Sequence, residues 1–248
     1  MIVDQLKSLR ENIVKEFCRV MEFRALTNMA YHMASSQSKA ILSDKPALII
    51  GYSDFARPII LPDKPLTHRE LADYLEHAEE EYLLSMITQH QVALFEHFFF
   101  DILRIILTDK PLHLPDKKQI EYSLIFAAQT KDEIITTIIE KELNELKYKN
   151  VKFWFDYLER LVSGCNVSDN DLGTIAEAKA TRDLLVHNAG IVNPTYLEKS
   201  GKFARSKAGE IISVAGNYTF DTWHLFSSAL ITIIDYLIKK FETKKNKV

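Results

Sequence analysis

The sequence predicts an all-α fold, and three observations carry that expectation. Apolar residues recur at steps of three and four along most of the chain, which is the period of a helix with one buried face. Glycine and proline number only 7 each in 248 residues, too few for the many turns of a sandwich, barrel or propeller. Helix start and stop signals punctuate the periodic segments.

The first element follows Leu6, Leu9, Ile13, Phe17, Val20, Met21, Leu26, Met29 and Met33, a stripe on one helix face. It should end near Ser43–Pro46, because proline pushes its predecessor out of helical dihedrals. Residues 47–66 hold Pro58, Pro62 and Pro65 around two short apolar runs. They read as a long connection with a minor hairpin, the kind of segment that marks a lobe boundary or a functional loop. Thr67-His68-Arg69-Glu70 has the form of a capping box and opens a helix to about Leu107 with a break inside it. Weaker helical patterns cover 116–128 and 132–149. An aromatic helix follows at 153–162. Ser168 or Asp169 caps the next helix, from Leu172 to about Asn188, and Gly190 stops it. Tyr196 to Lys207 reads as a short helix or an ordered loop, and Asp221 caps a last helix to about Phe241. The total is about seven to nine helices. The division expected is an N-terminal helix with its connection at 1–66 and a helical bundle at 67–248.

Composition narrows the function classes. At 28.6 kDa the chain can bury roughly 70% of its extended surface and needs no covalent staple. Cys18 and Cys165 are its 2 cysteines. They cannot build a disulfide framework or a four-thiolate zinc site, which suits a reducing cytoplasm. The apolar stretch 225–238 is too short and too polar to span a bilayer, so no membrane association is expected. A net charge of −3 argues against a duplex-DNA coat of basic residues, though not against a local basic site.

Several constellations fall away. His90 and His97 lie two turns apart, ~10.5 Å along a helix, too far to share a zinc without a third element. Glu79-Glu80-Glu81 reads as a solvated face, and Phe98-Phe99-Phe100 as core packing. The C-terminal lysines read as a solvated tail beside a helix dipole. There is no glycine-rich phosphate loop and no nucleophile elbow.

The informative stretch is 180–196, ATRDLLVHNAGIVNPTY. Arg182 supplies a permanent cation whose fork of donors matches phosphate oxygens. His187 exchanges a proton near neutral pH. Together they are a minimal kit for transesterification in RNA, where the 2′-hydroxyl is an internal nucleophile and no metal is required. Spacing alone is weak: nine arginines and eight histidines produce an Arg-x4-His match about 0.3 times by chance. Five residues also set the two side chains ~140° apart on a helix, with ~7.5 Å of rise. An arginine's length or a second subunit would have to close that gap.

The run Arg-Asp-Leu-Leu-Val-His-Asn-x-Gly-x-Val-Asn-x-x-Tyr at 182–196 resembles the signature of the HEPN superfamily (higher eukaryotes and prokaryotes nucleotide-binding). It most resembles the stand-alone ribonuclease-like branch. Arg182, the polar Asp183 and His187 fill that family's motif positions. The resemblance spans Thr67 to Phe241, with the specific motif confined to about fifteen residues, and it leaves the first 66 unmatched. It implies a helical bundle of the HEPN type, here with an additional N-terminal helical segment, and a motif near the end of a late helix. Glu96 resembles the polar residue that many members carry on an early helix facing the site. The resemblance also implies a homodimer in which two motif helices meet across a two-fold axis, so that each histidine complements the other subunit's arginine.

The implied chemistry is attack of a ribose 2′-oxygen on the adjacent phosphate, leaving a 2′,3′-cyclic phosphate and a 5′-hydroxyl. His187 would be the general acid or base, Arg182 would stabilise the phosphorane, and Asp183 would orient either. Asn188, Asn193 and Tyr196 would position the motif or contact phosphate. Lys199, Lys202, Arg205 and Lys207 follow with no charge-balancing partner nearer than Glu198 and Glu210, and would funnel single-stranded RNA. The expectation is therefore a metal-independent, cofactor-free, cytoplasmic endoribonuclease with a toxin, phage-defence or RNA-processing role and, in such a system, an antitoxin. The competing expectation is a non-catalytic HEPN-like RNA- or nucleotide-binding or dimerisation module, partner to a nucleotidyltransferase or an ATPase.

Overall fold

The computed structural model describes residues 2–41, 66–78, 82–115, 126, 128–165 and 167–245. Of the expected connection and hairpin at 47–66 all but Leu66 lies outside them, as do the Glu79-Glu80-Glu81 run and most of the weak helical pattern at 116–128. Within them the chain is all-helical. The α-helices are α1 (Ile2–Ala40), α2 (His68–Ala78), α3 (Leu84–Asp109), α4 (Lys131–Lys147), α5 (Val151–Leu161), α6 (Asp169–His187), α7 (Pro194–Ser200) and α8 (Gly216–Lys245). The described residues form no strand; one isolated antiparallel bridge joins Ile191 to Ile211. None of these helices is long and apolar enough to cross a membrane.

Short polar side chains set the helix starts, because the first amides of a helix lack intrahelical acceptors. Thr67 and Glu70 close a reciprocal capping box, with amide bonds of 2.8 and 3.2 Å. Thr130, Asn150, Ser168 and Asn193 each accept from the amide three residues on, at 3.2, 2.8, 3.1 and 2.9 Å. Pro194 occupies the first turn of α7, where its missing N–H does no harm. One start differs from expectation. Asp221 lies inside α8, which begins a turn earlier at Gly216. Residues 216–220 hold no proline, and the Thr219 amide already reaches the Ala215 carbonyl at 3.0 Å, so nothing halts the helix at Asp221.

The residues divide into two units. The first comprises Met1–Cys18, Thr88–Ser213 and Phe220–Val248; the second comprises Arg19–Ile87 and Val214–Thr219. The first has a core of Phe95, Phe99, Phe100, Trp154, Phe155 and Phe226, with Phe95–Phe226 centroids 4.6 Å apart and Phe99–Phe155 centroids 4.9 Å apart. The Phe98–Phe100 triplet is buried there, as its pattern predicts. Leu6, Leu9, Ile13 and Phe17 of α1 pack in the same core. Each such aromatic contributes several kcal/mol by excluding water, on the order of 3–5 for full truncation. Arg10 pairs with Asp235 at 2.6 Å, and the Trp223 indole donates to the Phe17 carbonyl at 2.9 Å. In the second unit the latter half of α1 leaves Phe23, Leu26, Met29 and Met33 exposed.

Candidate functional site

Helix α6 carries the motif, and its end is shaped by the residues that follow it. The Asn188 amide still reaches Leu184 at 2.8 Å, and the Gly190 amide folds back to the same carbonyl at 3.0 Å. That reversal requires left-handed backbone at Ala189 (φ 48°) and Gly190 (φ 76°), the second being the glycine stop the sequence predicts. The Asn188 side chain donates to the Ile191 carbonyl. The Val192 amide then donates to the Glu210 carbonyl and the Ile212 amide to the Gly190 carbonyl, both at 2.8 Å, pinning the loop after the motif.

Of the motif side chains on α6, Arg182 turns away from a cleft that Lys179, Asp183 and His187 line. Arg182 turns toward α3 and donates to Glu96 at 2.7 Å. Lys179 reaches the other Glu96 oxygen at 3.0 Å. Asp183 stands 3.4 Å from Arg182 and accepts from Lys199 of α7 at 3.1 Å. The result is a chain of alternating charges from α3 through α6 to α7. The Arg182 Nε is buried without a partner among the described residues.

Lys179, Asp183 and Lys199 also border the cleft, whose volume is about 850 Å³, within the size range of small-ligand pockets. Asp183 and His187, one turn apart on α6, line one side. Tyr196 and Lys199 come from α7, Asn193 from its cap, Asn188 from the end of α6, and Lys147, Lys149 and Lys152 from the α4–α5 turn and its flanks. With Lys179, five lysines and one histidine face two acids, Asp183 and Glu198. The field in the cleft is therefore positive and suited to anions. His187 is exposed and forms no hydrogen bond among the described residues. Arg182 does not line this cleft, in keeping with the ~140° that helix geometry places between it and His187.

The remaining expected residues sort by what holds them. Tyr196 is buried. Its hydroxyl donates to Glu177 at 2.7 Å and accepts from the Arg205 amide at 3.1 Å. Burial pushes the phenol above its ordinary pKa, and the Glu177 carboxylate adds to this against the opposing Arg205, so the hydroxyl stays a donor. The Arg205 guanidinium is committed to Glu177 at 2.9 Å, Thr181 at 3.2 Å and the Ser213 carbonyl at 2.7 Å. This network braces α6, α7 and the following loop. Asn193 caps α7. Lys202 lies over the Phe203 ring at 5.2 Å, and the Lys207 amide bonds Glu210 at 2.8 Å. His97 is a surface residue 3.4 Å from Asp101. Among the described residues no group of three His, Cys, Asp or Glu is placed to hold a metal.

Sequence reading passes over the α4–α5 turn. Its signal is present nonetheless: Lys147, Lys149 and Lys152 with no acid between them, as dense as the basic run after the motif. No protein-family model matches the chain, and no curated protein or solved structure matches it either.

Proposed function

We propose that this protein is a metal-independent endoribonuclease of the HEPN type that acts as a homodimer on single-stranded RNA. The observation that carries the reading is the placement of the motif. His187 stands exposed on the wall of a lysine-rich cleft, and Arg182, one face away on the same helix, is held by Glu96 of α3. A cleft of this charge attracts a phosphodiester strand. His187 has no competing partner among the described residues and is open to exchange protons with a 2′-hydroxyl or a leaving 5′-oxygen. Arg182 complements it from the second copy. Val186, Ile191 and Ile211 are exposed apolar residues beside the helix end, Ile211 at 75%, and favour self-association there. In the reaction the 2′-oxygen forms its bond to phosphorus as its proton leaves. The bond to the 5′-oxygen breaks, and that oxygen takes up a proton. The products are a 2′,3′-cyclic phosphate and a 5′-hydroxyl. A toxin or phage-defence role, with an antitoxin partner, goes with this reading.

The test is cleavage of a single-stranded RNA in EDTA, with product ends identified by mass. The native protein should leave cyclic phosphates, and His187→Ala and Arg182→Ala should each lose at least ~100-fold in rate. Equal cleavage by both variants would remove the motif from the mechanism. A second reading, a binding module without turnover, is favoured by the Arg182–Glu96 pair, which occupies one arm of the guanidinium. It expects RNA binding with no cut product.

A further inference from the structure

The α4–α5 turn supplies a whole wall of the cleft, and none of its residues belongs to the motif. Tyr148 ends α4 with its side chain almost wholly in water, 92% exposed. Lys149 and Lys152 are exposed on either side of Asn150 and Val151, with no ion-pair partner among the described residues. The turn is nevertheless firmly built. Asn150 caps α5 through the Phe153 amide at 2.8 Å, and Val151 is buried. The Leu146 carbonyl accepts from both the Lys149 amide at 2.9 Å and the Trp154 indole at 2.7 Å. An uncovered aromatic ring beside two such cations, on a braced turn, is the arrangement that binds single-stranded nucleic acid: the ring stacks a base and the cations hold neighbouring phosphates. The amides at the start of α5 add a positive end to the same wall. Across the cleft stand Lys199 and His187.

We propose that the α4–α5 turn is the strand-binding wall of this cleft, with Tyr148 stacking on a base of single-stranded RNA and Lys149 and Lys152 gripping the phosphates beside it. The assignment rests on the ribonuclease reading for its substrate class but makes a separate demand on binding. An acidic protein segment would also answer to the lysines, but it has no use for the exposed ring.

The experiment measures binding of the intact protein to a fluorescent 2′-O-methyl oligonucleotide, which lacks the nucleophile and cannot be cut. Tyr148→Ala should weaken binding by ~10-fold or more, and Tyr148→Phe should bind like the native protein. Lys149→Ala with Lys152→Ala should flatten the slope of log K against log salt by about 1.4, two phosphate contacts' worth. The inference is overturned if native protein does not bind, or if Tyr148→Ala binds as tightly as native. Displacement of the oligonucleotide by polyglutamate or a mononucleotide as readily as by unlabelled RNA would also overturn it. Cleavage separates the two readings. RNA cut with an unchanged KM in Tyr148→Ala sinks this wall and leaves the ribonuclease. Tyr148-dependent binding with no cutting leaves this wall and sinks the ribonuclease.

Discussion

At the residue scale, the chain stores backbone strain just after His187. Ala189 holds φ 48° and Gly190 φ 76°, because the chain must reverse at the end of α6 to carry Val192 and Tyr196 back against it. An L-residue in left-handed backbone gives up ~1–2 kcal/mol, while glycine gives up ~0.5–1 through its freer unfolded state. Ala189→Gly should therefore be neutral to stabilising, by up to ~1 kcal/mol, and Gly190→Ala destabilising by about the same amount. Urea midpoints of the two variants check the opposite signs. Glu96 shows how a residue gains meaning from its surroundings. It sits mid-way along α3, and only the packing of α3 beside α6 brings its oxygens 2.7 Å from Arg182 and 3.0 Å from Lys179. Because Lys179 shares the carboxylate, Glu96 anchors two cations of the cleft region at once.

At the element scale, α6 is a helix contacted from several directions. Its buried residues include Ile175, Glu177, Ala178, Ala180, Thr181 and Leu184, so its sequence shows no clean apolar stripe. Gly173 explains how the turn after α7 docks on it. A Cβ there would stand 2.0 Å from the Phe203 ring, so only glycine lets the ring approach the helix this closely. Gly173→Ala adds ~1 kcal/mol of helix propensity, yet the clash should win and destabilise the protein by ~1–3 kcal/mol. Adding Phe203→Ala should recover most of the clash, so a double-mutant cycle by thermal melting reads the contact directly. Additive losses would mean that Phe203 does not rest there. Caps at Thr67 and Ser168 stand out in the sequence because a polar residue precedes a periodic run, whereas Asn193 emerges as the cap of α7 only in the structure, where the helix starts at Pro194, two residues before the expected Tyr196. The start of α8 does not stand out either, since Gly216, Asn217, Thr219 and Asp221 are all cap-type residues and offer several starts within two turns.

At the scale of the whole molecule, burial partitions the two cysteines. Cys18 is exposed and Cys165 is buried. Burial, helped by Glu159 and opposed by Lys240, pushes the Cys165 thiol up to about 12. Near pH 8 the native protein should titrate one thiol quickly with a maleimide or disulfide reagent, and a second only on unfolding. Peptide mapping should place the fast adduct on Cys18, and rapid labelling of Cys165 would contradict the packing of α5 and α8 around it.

The sequence by itself determined the helical class, the order of most helices and the Arg182–His187 stretch, because 3.6-residue periodicity, capping chemistry and local spacing are properties of neighbours along the chain. Tertiary structure decided which side chains share a space. It turned Arg182 to Glu96 and left His187 on the cleft, drew Tyr196 and Arg205 inward to Glu177, and set a lysine-rich turn some forty residues upstream opposite the motif (Tyr148 to His187). Those outcomes follow from how helices pack and which charges lose water, and neither is written in the spacing of any one segment.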